Sequence, residues 1–449
     1  MASTAAALLS RRFLLNCLKL THCHSRISTT PNKFSLYAAF RSMDQLDLPT
    51  TIADGVHSYL LGDELLLFSQ RARAMFRLNP SAALIWFCCE EGLNRQAIIA
   101  ELRQTFNLPA SQAEKDVNAV LTEWETRGLL AQDNETVTPP EEQDELPGMH
   151  EVPAPSSVVN EYQRERRYQM LGTVFRVRLS VPELEPVAQS VLGHLEAPDN
   201  QAFDVAIDVQ QDPLGCFLFC NEELVDYCTS EAELAPLIHG RALLNAYSRA
   251  DCLIAIHAAA VSNGDTCIVF PAGSGSGKST LTAALIASGF QYCSDELVLL
   301  KHRTHTIQAA PAGIGIKSGA WPVLQPFHPI LEGLPIFLRQ DAKQVRYLLP
   351  PKHLLANDTA QCYPVQSLVF PSYQPEKPTS LTRISPADAL CRLTEAGYDM
   401  EGGLDAERVA ELVDWIGGIS CYELHVHDLH EAISRVEGLL NTSSALLTS

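Results

Sequence analysis

Pro271-Ala272-Gly273-Ser274-Gly275-Ser276-Gly277-Lys278-Ser279-Thr280 is the stretch on which the reading of this chain turns. It fits the spacing G-x-x-x-x-G-K-[ST], with Ala272 in the first glycine position and Gly277, Lys278 and Ser279 in register. An apolar run at residues 266–270 precedes it and reads as a buried strand. Residues 279–289 follow with Leu281, Leu285 and Ile286 at helical spacing and Gly289 as the stop. Strand, loop and helix in that order let glycines turn the backbone with positive φ, so that successive N–H groups converge on a phosphate at the helix N-terminus. The candidate nucleotide-binding residues are therefore Gly273, Ser274, Gly275, Ser276, Gly277, Lys278, Ser279 and Thr280. Lys278 is placed to reach the terminal phosphates and the Ser279 hydroxyl to ligate Mg²⁺. The plain alternative is a glycine-rich turn that binds nothing.

Outward from this loop, the chain is too long, at 449 residues, for one efficient hydrophobic core, so two or more domains are expected. Fifty-three acidic against 33 basic side chains leave a formal charge of −20. Nucleic-acid affinity comes mainly from neutralised phosphates, so this balance argues against a nucleic-acid partner. The same field disfavours anionic lipid surfaces, and the absence of any run of about 18 apolar residues argues against a membrane span. The 13 cysteines include no C-x-x-C pair and no zinc spacing, and read as small buried hydrophobes in a reducing, cytoplasmic compartment.

Residues 1–42 contain no Asp or Glu but carry Arg11, Arg12, Lys19, Arg26, Lys33 and Arg41 among many Ser and Thr. That is the composition of a mitochondrial transit peptide, which would place the protein in the matrix; a spurious extension upstream of Met43 is the other reading. Residues 55–135 form a small domain of two strands, at 65–68 and 74–78, and three helices. The second helix is capped by Asn94, and the third is opened by a capping box at Ser111 and Glu114 and closed by Gly128. Val117, Val120, Leu121 and Trp124 give the third helix one apolar stripe. This pattern suggests a winged helix, but no helix face concentrates Arg or Lys as DNA binding requires. Residues 136–156 are acidic and proline-rich and read as a solvated linker. Residues 157–441 mix strands and helices as an α/β domain, and 442–449 read as a disordered tail.

Two further segments bear on chemistry. In residues 253–261 a single histidine, His257, interrupts a strand-like apolar run just upstream of the loop; such a residue is either a satisfied core side chain or part of a site. After the loop helix, Asp295 and Glu296 stand together at the start of a strand. They are solvated carboxylates or, beside a triphosphate, one accepts a proton from an incoming hydroxyl while the other serves the metal.

His257, the segment Gly273-Ser-Gly-Ser-Gly-Lys-Ser279 and Asp295-Glu296, in this order, resemble the HPr kinase/phosphorylase superfamily. Gly315-Ile-Lys317-Ser-Gly-Ala-Trp321, Val345-Arg-Tyr-Leu-Leu-Pro350 and Leu368-Val-Phe-Pro371 narrow the likeness to the HprK-related kinase A type. The resemblance implies a P-loop fold related to phosphoenolpyruvate carboxykinase and a serine kinase using ATP and Mg²⁺. It further implies Asp295 as catalytic base, His257 beside the γ-phosphate, and Ser279 with Glu296 at the metal. Glu296 stands where the superfamily has a second aspartate, and no counterpart of its signature loop for phosphorolysis is found. Lys317 is a weaker candidate for phosphate or substrate binding. Relatives of the classical kinase assemble as rings, so a homo-oligomer is possible.

In the small domain, Phe76-Arg-Leu-Asn79-Pro-Ser-Ala-Ala-Leu-Ile-Trp86 and Leu129-Leu130 resemble the PqqD family. That likeness implies a module that holds a peptide along a sheet edge; a packing or dimerisation module is the alternative. Together the two resemblances give a peptide or protein serine kinase with its own recruitment domain. A nucleotide-driven ATPase or switch, or a peptide chaperone without kinase activity, are the competing classes.

Overall fold

The apolar run before the glycine-rich loop forms the strand Cys267–Pro271, buried along its whole length in a nine-stranded sheet. In the computed structural model of the protein, residues 50–131, 154–156, 161–355, 362–396 and 404–444 are described. The extension at 1–42 and the linker at 136–156, apart from residues 154–156, lie outside them. The final helix, Leu429–Ser444, runs into the span read as a tail, and residues 445–449 lie outside the described part.

Two compact units emerge, one holding the described residues up to 131 together with 404–417, the other holding the rest. Residues 404–417 fall inside the 157–441 interval yet cluster with the first unit. Their helix, Ala406–Gly417, buries Val409, Leu412, Val413, Trp415 and Ile416, and the Tyr59 hydroxyl donates a hydrogen bond of 2.9 Å to the Ala406 carbonyl.

The first unit is a three-stranded antiparallel meander, Val56–Leu61, Glu64–Ser69 and Ala74–Leu78, followed by helices Pro80–Glu90, Arg95–Phe106 and Ala110–Thr126. The first strand was not expected, because its alternation of half-buried and exposed positions is carried by His57, Ser58 and Tyr59 rather than by an apolar run. Asn79 and Asn94 cap the first two helices, accepting from Ala82 N at 2.8 Å and Ala97 N at 2.9 Å. The capping box at Ser111 is corrected: the third helix starts at Ala110 after Pro109 with no side-chain cap. Proline already fixes φ near the helical value, so the chain enters the helix before the serine. The stripe Val117, Leu121 and Trp124 is buried, with the Trp124 ring edge-on to Trp86 at 5.2 Å.

In the second unit, a six-stranded sheet built from residues 164–228 packs with the helices Glu185–Leu192 and Glu231–Ser248. A separate three-stranded sheet, Ile314–Lys317, Gln344–Leu348 and Phe337–Leu338, contributes side chains to both hydrophobic clusters of this unit. The nine-stranded sheet positions the chemistry. The loop strand runs parallel to its neighbour Cys362–Tyr373, which runs parallel to Ser420–Val426. On its other side lies Ala258–Ser262, antiparallel, followed by Gln291–Ser294, again in the direction of the loop strand. Pro271, Tyr373, Val426 and Ser294 thus all end at one edge, where ligands of open α/β sheets gather.

The run at 253–261 is two strands rather than one, Ile254–Ile256 and Ala258–Ser262, broken at His257. Its N–H donates to the Ala396 carbonyl at 2.9 Å, and its carbonyl accepts from Ala272 N at 3.3 Å, which diverts the residue out of the ladder. The described cysteines are free thiols, most of them buried. Among the described residues, no helix is long and apolar enough to cross a membrane.

Candidate active site

The loop closes as the glycine spacing requires. Gly275 and Gly277 take φ of 91° and 90°, in the left-handed region that other residues enter at a cost, and Gly277 caps the helix Lys278–Ala287. Leu281 N donates to the Gly277 carbonyl at 2.9 Å, and the first N–H groups of this helix are left for a ligand.

Each residue named from the sequence lies at this edge of the sheet. Lys278, the first residue of the loop helix, is 5% exposed, and Asp295, in the turn after Gln291–Ser294, is 1% exposed. Glu296 follows in the same turn, its Oε2 3.3 Å from His257 Nε2. Lys317 ends the strand Ile314–Lys317 and donates through Nζ to Ser274 Oγ at 2.9 Å, across the tip of the loop. Asp295 and Glu296 stand between two strands rather than opening one, since the next strand is Val298–Leu300. The Ser294 hydroxyl, bonded to the Leu297 carbonyl, closes that turn.

The Lys278 ammonium, both carboxylate oxygens of Asp295 and the Ser276 hydroxyl are buried without a well-formed hydrogen bond, although the Ser279 hydroxyl lies close enough to Asp295 to act on its charge. A buried charge left unpaired is costly, and polar groups in a folded interior are nearly always satisfied. Four buried polar atoms without a well-formed hydrogen bond around one loop are the arrangement expected where a polyanion and its hydrogen-bonding groups complete the set. The residues present fit a phosphate chain with a divalent cation in this respect. Among the described residues no cluster of three or more His, Cys, Asp or Glu could hold a metal alone, so a cation here would need ligand oxygens as well.

Electrostatics separate the two acids. Burial raises the Asp295 carboxyl to about 7, Glu296 adds to the rise, and Lys278, the Ser279 hydroxyl and Lys317 oppose it. Glu296 is held down at about 2 although burial pushes it the other way; the hydrogen bond to His257 is the largest of the groups that outweigh it, followed by Lys278. Burial also lowers Lys278, against the pull of Asp295 and Glu296. One carboxylate is therefore fixed as an anion while its neighbour exchanges a proton near neutrality, the pattern by which adjacent acids divide their roles.

A cleft of about 600 Å³ opens beside the loop, lined by His257, Gly273, Ser276, Phe370, Arg392, Glu395 and Glu423 among others. Arg392 donates to Glu423 at 3.0 Å, pairs with Asp388 at 2.9 Å and lies over the Phe370 ring. The sequence reading missed Arg392 and Glu423. Both are more than 100 residues from the loop and belong to no motif; the pairing of Ser420–Val426 with Cys362–Tyr373 brings Glu423 to it, and the helix Pro386–Glu395 brings Arg392.

Residues 64–130 are similar to PqqD proteins. They match the family model described as coenzyme PQQ synthesis protein D. No curated protein matches the chain. Among solved structures, TbiB1 in complex with the TbiA(beta) leader peptide shares 24% identity, covering 19% of this chain and 99% of that one, with a TM-score of 0.18. The Hpr(Ser) kinase/phosphatase from Coxiella burnetii shares 13% identity, covering 43% of this chain and 99% of that one, with a TM-score of 0.21.

Proposed function

We propose that the protein transfers the γ-phosphoryl group of ATP, with Mg²⁺, to a serine hydroxyl of a peptide recruited by its PqqD-like domain. The observation that carries this reading is the pair of buried charged groups, Lys278 and Asp295, beside a loop that turns at Gly275 and Gly277 with positive φ into a helix N-terminus. Lys278 and the loop N–H groups hold the β- and γ-phosphates. Ser279 and the ionised Glu296 hold Mg²⁺, which when bound shields the negative charge of the phosphates. The acceptor serine enters through the cleft beside His257. Asp295 takes the hydroxyl proton as the serine oxygen bonds to phosphorus and the bond to the leaving diphosphate breaks. His257, anchored by Glu296, lies beside the transferred group. A winged-helix architecture for the first unit is consistent with its meander and three helices, and the edge of such a sheet is the kind of surface along which an extended peptide pairs.

The test is titration of the whole chain with MgATP by calorimetry, followed by transfer of labelled γ-phosphate to a serine-containing peptide. Saturable binding and a peptide-dependent phosphoserine product are expected. No uptake of ATP or GTP would remove the proposal, and hydrolysis at the same rate with or without any peptide would replace it by a nucleotide-driven switch.

A further inference from the structure

We infer that Tyr373 is the platform on which the nucleotide's purine ring stacks. This rests on the triphosphate reading of the loop and extends it to a part of the ligand for which no residue has been assigned. The strand Cys362–Tyr373 pairs in parallel with the loop strand, with Val269 opposite Leu368. Continued in that register, Phe370 is level with Pro271, where the loop strand ends. Pro371, Ser372 and Tyr373 therefore run on beside the loop itself, about 10 Å of extended chain at about 3.3 Å per residue. The hydrogen bonding agrees: Tyr373 N donates to the Ser276 carbonyl at 3.1 Å. A side chain built on Gly277 would begin 3.5 Å from Tyr373 Cβ, so the tyrosine side chain leaves its strand next to the residue that precedes Lys278.

Burial sets this ring apart from others in its strand. Tyr363 and Phe370 are 1% and 7% exposed, whereas Tyr373 is 59% exposed. A bulky ring projecting into solvent from the end of a core strand, anchored by its backbone to a phosphate-binding loop, has a free face and a fixed origin.

The geometry of transfer selects what covers it. In-line displacement puts the attacking hydroxyl and the leaving diphosphate on opposite sides of the γ-phosphorus. The acceptor side is the cleft lined by His257, Gly273 and Ser276; its wall takes in Phe370, Pro371 and Ser372 and stops short of Tyr373, which follows them at the rim. A nucleoside leaving the loop past Gly277 would meet the Tyr373 ring at that rim. Stacking of a base on an aromatic ring is tolerant of base identity and contributes affinity of roughly 5- to 150-fold.

The experiment compares two ligands that differ only in carrying a nucleoside, MgATP and magnesium tripolyphosphate, by calorimetry on the full chain. Tyr373→Ala is expected to weaken MgATP about tenfold or more and to leave tripolyphosphate unchanged, while Tyr373→Phe keeps both affinities. Lys278→Ala, by contrast, weakens both ligands. Equal loss of the two ligands in Tyr373→Ala, or loss of neither, overturns the platform while leaving the loop reading intact. A wild-type chain that binds neither ligand overturns the loop reading and the platform together. Thermal unfolding of Tyr373→Ala at the wild-type temperature, expected for so exposed a ring, excludes a folding defect as the cause.

Discussion

Asp295 carries the strongest demand on the residue scale, because its carboxyl is buried, lacks a well-formed hydrogen bond and is raised to about 7 by burial and by Glu296. Acting as general base it must be ionised, so kcat/KM for peptide phosphorylation should fall about tenfold per pH unit below about 7. A rate profile flat from pH 5 to pH 8 would contradict that role. Asp295→Asn should leave MgATP affinity within a few-fold and lower turnover by about 10² to 10⁴, measured under single-turnover conditions. The same shift affects stability with a definite sign. A carboxyl that holds its proton more tightly when folded stabilises the protein below its unfolded pKa, near 4, and that contribution is lost as pH rises to about 7. Nucleotide-free Asp295→Asn should therefore unfold at a higher temperature than wild type at pH 8, with the gap closing towards pH 4. Glu296, held low, acts in the opposite sense and only below about pH 4.5, outside that window.

At the scale of elements, the junction between loop and helix depends on Gly277 at φ 90°. Open space around its Cβ position is limited only by Tyr373 at 3.5 Å, so Gly277→Ala is penalised by backbone conformation rather than by collision. A cost of about 1 to 2 kcal/mol is expected. It should appear as weaker binding of MgATP and tripolyphosphate alike, since a relaxed loop no longer aims its amides at one point; unchanged affinity for both would show that the left-handed turn is dispensable. The local signals that made the loop legible in the sequence were of this kind: glycine at forced positive φ, an apolar strand before it and a helical stripe after it. The Asn94 cap and the Val117, Leu121, Trp124 stripe were legible for the same reason, being set by residues close in sequence, whereas the equivalent cap at Asn79 went unread. What escaped was non-local. The break at His257 owes its place to a hydrogen bond from its amide to Ala396, Glu423 to parallel pairing across the sheet, and Arg392 to the helix Pro386–Glu395 and its ion pair with Glu423. The helix Ala406–Gly417 joined the first unit through Tyr59, more than 340 residues away, a contact no periodicity announces.

For the whole molecule, chain connectivity bears on how a peptide would be used. Described residues up to 131 and again at 404–417 belong to the first unit, and those between and after belong to the second, so the segment that matches PqqD is joined to the unit carrying the glycine-rich loop by more than one connection. In the proposed reaction a peptide held by the first unit is presented to the second as an intramolecular partner, at an effective concentration of the order of millimolar for short tethers. Recognition then resides in the part of the peptide that binds the PqqD-like domain, and the cleft beside His257 needs only to admit a serine. Two peptides with the same acceptor segment, one with the recruiting segment and one without, should accordingly differ in KM by about 10² or more and little in kcat. The recruiting segment added alone should inhibit the longer peptide competitively and leave the shorter one untouched. If it inhibits both equally, it binds at the phosphate site itself, and recruitment by the PqqD-like domain is the wrong account; if the two peptides share one KM, tethering contributes nothing and the cleft, with Arg392 and Glu423 in its wall, must select the substrate directly.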